Sequence, residues 1–225
     1  SVHRREERFN FARAINRGVS LADGDHFLLL NNDISILHPD WLSEMVSCLN
    51  YEKAGIVGAK LLYPNGTIQH AGVVTGFGGL AGHWYLGKQA DFGGPMNRLH
   101  VRASMTCVTA AAMLVSRECW AAVGEMDEEN FAVAYNDVDF CLRVVQSGHL
   151  VVWTPHAVLM HVGSVSQHGL DPEALEAKRE RLAAEQDAMY ARWLPQLAND
   201  PAYNPNLSLQ GPGYELDRLP RRRHA

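Results

Sequence analysis

The chain has 225 residues, a net charge of -5, and 47% hydrophobic against 20% charged residues. That balance supports a sizeable core and excludes a disordered chain, while the acid excess argues against a general nucleic-acid binder. The four cysteines, Cys48, Cys107, Cys119 and Cys141, form no Cys-x-x-Cys pair and lie in apolar surroundings. They read as reduced core thiols rather than a disulfide frame or zinc site.

No apolar run approaches the length of a membrane span, and the first eight residues hold no signal-peptide core. A soluble, cytoplasmic protein is expected, including one working at the inner face of a membrane, or a soluble part of a longer polypeptide. Arg221, Arg222 and Arg223 read as a solvated end.

In chain order, residues 9–21 carry Phe11, Ala14, Ile15 and Val19 on one helical face. Phe27-Leu28-Leu29-Leu30 then reads as a strand buried on both faces, as in a parallel sheet covered by helices. It stops at Asn31-Asn32-Asp33. In open α/β sheets, ligands bind just beyond the carboxyl ends of the strands, where a carboxylate suits a hard divalent cation. The same three residues also suit a plain turn. Pro39, Asp40 and Glu44 suit a helix start, with Trp41, Leu42, Met45, Val46 and Leu49 inward. Residues 55–63 make a second strand, and Pro64-Asn65-Gly66 turns it into a hairpin.

Residues 76–103 show little periodicity and much glycine. A loop of this length is either functional or a mobile surface flap. It carries His83, Trp84, Tyr85, His100 and Arg102, groups suited to stacking on and hydrogen-bonding a polar ligand, with His83, Trp84 and Arg102 the candidates for contact. Residues 106–115 read as a third strand, followed by a short helix capped by Ser116 and ended by Gly124. Val138, Cys141, Leu142 and Val145 then define a helix face, with Asp137 at its positive end. Asp139 and Arg143 are spaced to pair along it. Strands follow at residues 150–153 and 157–162, separated by Pro155. A long amphipathic helix runs from Pro172, with Leu175, Leu182, Met189 and Trp193 inward. After Pro195 a proline-rich tail is expected to wrap the surface.

Several ordered stretches resemble family 2 glycosyltransferases. They are Asn10-Phe11, Asn16-Arg17-Gly18, Leu29-Leu30-Asn31-Asn32-Asp33, residues 58–64, Gln69-His70-Ala71-Gly72, residues 136–143, Trp153-Thr154-Pro155 and His161. The tail from Asp200 to Leu207 is similar to the bacterial branch that builds O-antigen and other surface polysaccharides, often as rhamnosyl transferases. The resemblance implies an α/β, GT-A-like fold: a mostly parallel central sheet flanked by helices, with a C-terminal helix and extended tail. It divides the chain into residues 1–170, a partial catalytic domain lacking the family's opening βαβ nucleotide unit, and residues 171–225, helix and tail.

The implied reaction is inverting transfer of a sugar from a nucleotide-diphosphate donor to a hydroxyl of a glycan or lipid-linked glycan, assisted by Mg²⁺ or Mn²⁺. By resemblance, Asp33 and His161 are the metal ligands and Asp137 the general base. Asn16, Asn31, Asn32 and Arg143 are donor-binding candidates, and Asn136 and Asp139 support the helix start. Asn31 and Asn136 stand where the family more often has acids. Other domains of a longer polypeptide are expected partners. The alternative function is a non-catalytic carbohydrate-binding or scaffold module derived from such an enzyme.

Overall fold

The computed structural model describes residues 9–163, 172–210 and 214–218. The arginines at 221–223, the amino-terminal eight residues and the boundary at 170/171 lie outside them. A twisted sheet carries helices on both faces. Its strands are β1 (His26–Leu30), β2 (Ile34–Ile36), β3 (Ala54–Leu62), β4 (Ile68–His70), β7 (Ala103–Met105), β8 (Ala112–Ser116) and β9 (Leu150–His161). Strands β5 (Val73–Thr75) and β6 (Ala81–His83) form a separate ribbon.

The main order is β1-β8-β3-β9-β2. Strands β3 and β9 pair in parallel, β1 points the same way, and β8 is slotted between β1 and β3 in reverse. Thus the α/β class holds, and the parallel arrangement resides in the common direction of β1, β3 and β9. The pairings of β2, β4 and β7 are antiparallel. The tight β3–β4 hairpin can join only antiparallel neighbours. The carboxyl ends of β1, β3 and β9 therefore lie along one edge.

Alternation along β3 explains the layers. Ile56 faces one core with Phe27, Phe140 and Trp193, whereas Val57, Ala59 and Leu61 face another with Trp41, Met45 and Cys48. Helix α2 (Trp41–Cys48) covers the second face. Helices α1 (Phe11–Ser20), α3 (Arg117–Val123), α4 (Asn136–Gln146) and the latter half of α5 (Pro172–Ala198) belong with the first. Asn10 caps α1 through Arg13 N–H, and Ser116 caps α3 through Cys119 N–H. All four cysteines are free and buried.

Five expectations need correction. In α2, Leu42 and Val46, expected inward, are 39% and 37% exposed. The two strands expected at residues 150–153 and 157–162 are one, Leu150–His161. Its register against β3 shifts between Gly58 and Lys60, and Pro155 falls in that irregularity, where no ladder hydrogen bond is required of it. Residues 106–111 are not strand; β8 begins at Ala112. The glycine-rich stretch is no loose flap, because Phe77, Trp84, Tyr85 and Leu99 are buried within the first core. In α5, Met189 and Trp193 are buried as expected, but Leu175 and Leu182 are 40% and 36% exposed. Their turns project past the end of the core that the later turns pack against.

Candidate active site

Three of the expected residues meet at the carboxyl edge of the sheet. β1 ends just before Asn31, whose N–H donates to Ala111 O and starts a turn closed by Ile34 N–H on Asn31 O. That turn carries Asp33 toward the end of β9, where Asp33 Oδ1 lies 3.0 Å from His161 Nε2. Asn31 Nδ2 lies 3.3 Å from the same nitrogen. Backbone bonds from Val162 N–H to Asp33 O and from Gly163 N–H to Asp33 Oδ2 fix the two loops together. Asn32 is exposed beside them.

Gln69 was not anticipated as a site residue. Its Oε1 lies 2.7 Å from His161 Nδ1, and its Nε2 donates to His161 O at 3.3 Å. The acceptor at Nδ1 assigns the proton there and orients the ring. His161 Nε2 is then either a second donor toward Asp33 or the lone pair that a cation would use. A carboxylate oxygen is a donor that Mn²⁺ or Mg²⁺ accepts, and an imidazole nitrogen backed by an amide suits a first-row transition ion such as Mn²⁺ better than Mg²⁺. Among the described residues no group of three or more His, Cys, Asp or Glu could hold a metal. The side chains here that could ligate a cation are Asp33 and His161, with the Asn31 amide as a neutral neighbour.

A cleft of about 340 Å³ opens beside this pair, lined in part by Gln69, His83, Thr109, Ala111, His161 and Gly163. Asp137 approaches it from the first turn of α4. Its Oδ1 accepts Val138 N–H at 2.9 Å and its Oδ2 accepts Ala110 N–H at 3.2 Å. Ala110 adjoins two cleft-lining residues, and the Asp137 charge acts on His83. His83, a loop candidate, is in electrostatic reach of both His161 and Asp137.

Helix α5 aims the start of α4. Tyr135 precedes α4 with φ 59°, a left-handed conformation costly for a tyrosine. Glu185 accepts Val133 N–H and Ala134 N–H, both at 3.0 Å, and Gln186 Nε2 donates to the Tyr135 hydroxyl. Asn136 donates to Val133 O, and buried Asp139 accepts from Arg143, Arg192 and Trp193. Asn136 and Asp139 thus brace the start of α4.

Four candidates are not brought to the cleft. Both polar atoms of the buried Asn16 amide are used on the backbone of Met126. Arg143 is held by Asp139 through Nε and by Val123 O through Nη1. Trp84 is 1% exposed and packs against Tyr85, Tyr203, Tyr214 and Arg98. Arg102 pairs with Glu44 of α2 and bonds the Tyr51 hydroxyl, on the side of the sheet that α2 covers. A charged or aromatic residue in an irregular stretch looks like a ligand contact until its partners from distant elements are known.

The chain belongs to glycosyltransferase-like family 2, whose model matches residues 2–188. It is 44% identical over 203 residues to an uncharacterised protein, y4gI, of Sinorhizobium fredii, covering 90% of this chain and 22% of that protein. It is 36% identical over 217 residues to the O-antigen biosynthesis protein RfbC of Myxococcus xanthus, covering 94% of this chain and 16% of RfbC. The chain therefore spans about a fifth of the length of these curated relatives. Among solved structures, GalNAc-T7 with UDP, GalNAc and Mn²⁺ aligns with a TM-score of 0.61 at 15% identity, over 88% of this chain and 40% of that one. The Pyrobaculum calidifontis mannosyltransferase PcManGT, in complex with GDP-Man and Mn²⁺, aligns at 0.52 and 18% identity, over 84% and 45%. The fold is thus that of the GT-A glycosyltransferases. No helix among the described residues is long and apolar enough to cross a membrane.

Proposed function

We propose that this chain is the catalytic part of an inverting, metal-dependent glycosyltransferase acting in bacterial surface-polysaccharide synthesis. Its donor would be a nucleotide-diphosphate sugar and its acceptor a hydroxyl of a glycan or lipid-linked glycan. The observation that carries this reading is the junction of Asp33 and His161, braced by Gln69, beside the cleft that Asp137 approaches from α4. The relative named for O-antigen biosynthesis supports the setting.

Two tasks divide between the two ends of the cleft. A divalent cation held by Asp33 and His161 would supply charge stabilisation to a departing diphosphate. Asn31 contributes an amide there without adding a charge. Asp137 takes the proton of the attacking acceptor hydroxyl. Its carboxylate is held by two backbone N–H groups and by the positive end of α4, which orient one oxygen pair while the helix fixes its approach.

A second reading, a non-catalytic carbohydrate-binding module, is favoured by Asn31 and Asn136 standing where acids are expected and by the cation site having one carboxylate. Thermal unfolding with Mn²⁺ plus UDP, GDP or dTDP, against each component alone, separates the two. A ligand at about 100 times its Kd adds roughly 2.7 kcal/mol, which is roughly 5–10 °C for a protein of this size. A rise only with metal and one nucleotide together supports the transferase. No rise with any pair would overturn donor binding by this chain.

A further inference from the structure

Behind the cleft, two histidines that no catalytic step has used face one another. His70, 1% exposed at the end of β4, has its Nδ1 2.9 Å from Nδ1 of His83 at the end of β6. The rings meet edge to face, with centroids 5.1 Å apart. On the far side of His70, Thr109 N–H points at Nε2 from 3.5 Å.

Hydrogen-bond direction fixes the protons of this pair. A backbone N–H can only donate, so His70 Nε2 is bare. The neutral ring must then carry its proton on Nδ1, where it donates to His83 Nδ1. That nitrogen is bare in turn, which leaves the His83 proton on Nε2. Burial disfavours charge on both rings. It holds His70 well below the usual imidazole range, with His83 adding to the effect, and lowers His83 too. Asp137 opposes the shift at His83 and His161 reinforces it.

His83 also stands at a junction. It lines the 340 Å³ cleft and a neighbouring groove of about 560 Å³, whose walls include Phe77, Tyr85 and Phe92. Leu86 is shared by both. The half-buried rings of Phe92 and Tyr214, which also line this groove, suit the C–H faces of pyranose rings, while a neutral N–H at its inner end suits a sugar hydroxyl.

We propose that His70 and His83 form a tautomer-locked pair that presents His83 Nε2–H to an acceptor-glycan oxygen, with the next sugar of that glycan in the aromatic groove. The proposal rests on the glycosyltransferase reading and adds to it a substrate-contacting residue, His83, and a positioning residue, His70. Being neutral, the donor aligns a hydroxyl beside Asp137 without adding a cation next to the metal ligands. A single wrong tautomer would instead leave a lone pair facing the cleft.

The test is imidazole ¹⁵N NMR of the whole chain, first without ligand, the His83 signals being assigned by their loss in His83→Gln. The expected pattern is His70 protonated at Nδ1 and His83 at Nε2. A cationic His83, or one protonated at Nδ1, overturns the pair whether or not the protein is a transferase. Methyl glycopyranosides of mannose, galactose, rhamnose and N-acetylglucosamine are then titrated. Movement of the His83 Nε2–H signal with at least one of them supports the acceptor contact. No movement with any glycoside, or movement only with Mn²⁺ and a nucleoside diphosphate, overturns it. His83→Phe should weaken glycoside binding roughly 3- to 10-fold, the worth of one neutral hydrogen bond. His83→Gln, which keeps an N–H, should restore part of it. Nucleotide binding, read separately by thermal shift, should be unchanged in both variants. Its absence from the wild type would count against the transferase reading alone.

Discussion

His161 Nε2 and Asp33 Oδ1 are 3.0 Å apart although one closes the last strand of the sheet and the other follows the first. The parallel direction of β1 and β9 brings both ends to one edge, and Gln69 on β4 turns the imidazole toward the carboxylate. If this pair holds the cation, Asp33→Asn should abolish the joint thermal shift with Mn²⁺ and nucleotide while leaving the unliganded melting point within a few degrees. Gln69→Leu should act more mildly. Loss of such an outer partner typically weakens metal affinity about 10–100-fold. Isothermal titration with Mn²⁺ at saturating nucleotide distinguishes the two. Unchanged Mn²⁺ affinity in Asp33→Asn would remove Asp33 from the site.

Asp137 carries a different prediction. A positioned general base contributes typically about 10²–10⁴-fold. Asp137→Asn should therefore lower kcat by that order in the full-length enzyme, with the joint metal and nucleotide shift retained. The substitution keeps the helix-start geometry, since an amide oxygen still accepts Ala110 N–H or Val138 N–H. Near-full activity in this variant would assign the proton transfer elsewhere.

What the sequence disclosed and what it hid differ in physical kind. Asn31, Asn32 and Asp33 were legible as a place for a ligand because a strand that ends in polar residues marks the carboxyl edge of an α/β sheet. The local pattern at Asp137 gave only a carboxylate at a helix start, and the roles proposed for Asp137 and His161 came from the family resemblance. Gln69, His70 and Glu185 have no such pattern; each acts through a partner on a distant element. Trp84 and Arg102 misled for the same reason. Their stretch lacks periodicity, yet Trp84 is enclosed by residues of the tail and Arg102 is held by α2. Pro155 looked like the end of a strand because a proline breaks a ladder. β9 tolerates it by shifting register there.

The link from α5 to the start of α4 predicts a pH effect. Burial alone would raise the Asp127 pKa, but hydrogen bonds from the Asn130 backbone and side chain and from Arg192 bring it down to about 2. A depressed carboxylate stabilises the fold at pH values above its ordinary value of 3.8. That contribution is lost as pH falls through the folded value near 2. The shift corresponds to about 2 kcal/mol. Urea unfolding of wild type and Asp127→Asn should therefore differ by about that amount at pH 5, and the gap should close between pH 4 and pH 2. A gap independent of pH would mean that the neutral hydrogen bonds, and not the charge, hold this turn.

Asp139 should be the most costly polar position to change. It is fully buried, and its carboxylate takes bonds of 2.9 Å from Arg143 Nε, Arg192 Nη1 and Trp193 Nε1. Removing the acid leaves Arg143 Nε, Arg192 Nη1 and the indole N–H without their acceptor, although Arg192 keeps Asp127 and Arg143 keeps Val123 O, and breaking a buried ion pair by deleting one partner typically costs about 3–5 kcal/mol. Asp139→Ala should lower the urea midpoint accordingly and shift the Trp193 emission to the red as its ring gains water. Asp139→Asn should cost less, because its amide oxygen still accepts one donor. The same loss should loosen the start of α4. At temperatures where Asp139→Asn remains folded, kcat in the full-length enzyme should therefore fall while the Mn²⁺ and nucleotide affinity set by Asp33 and His161 stays the same. Equal losses of both would mean that Asp139 supports the whole sheet and not the helix that carries Asp137.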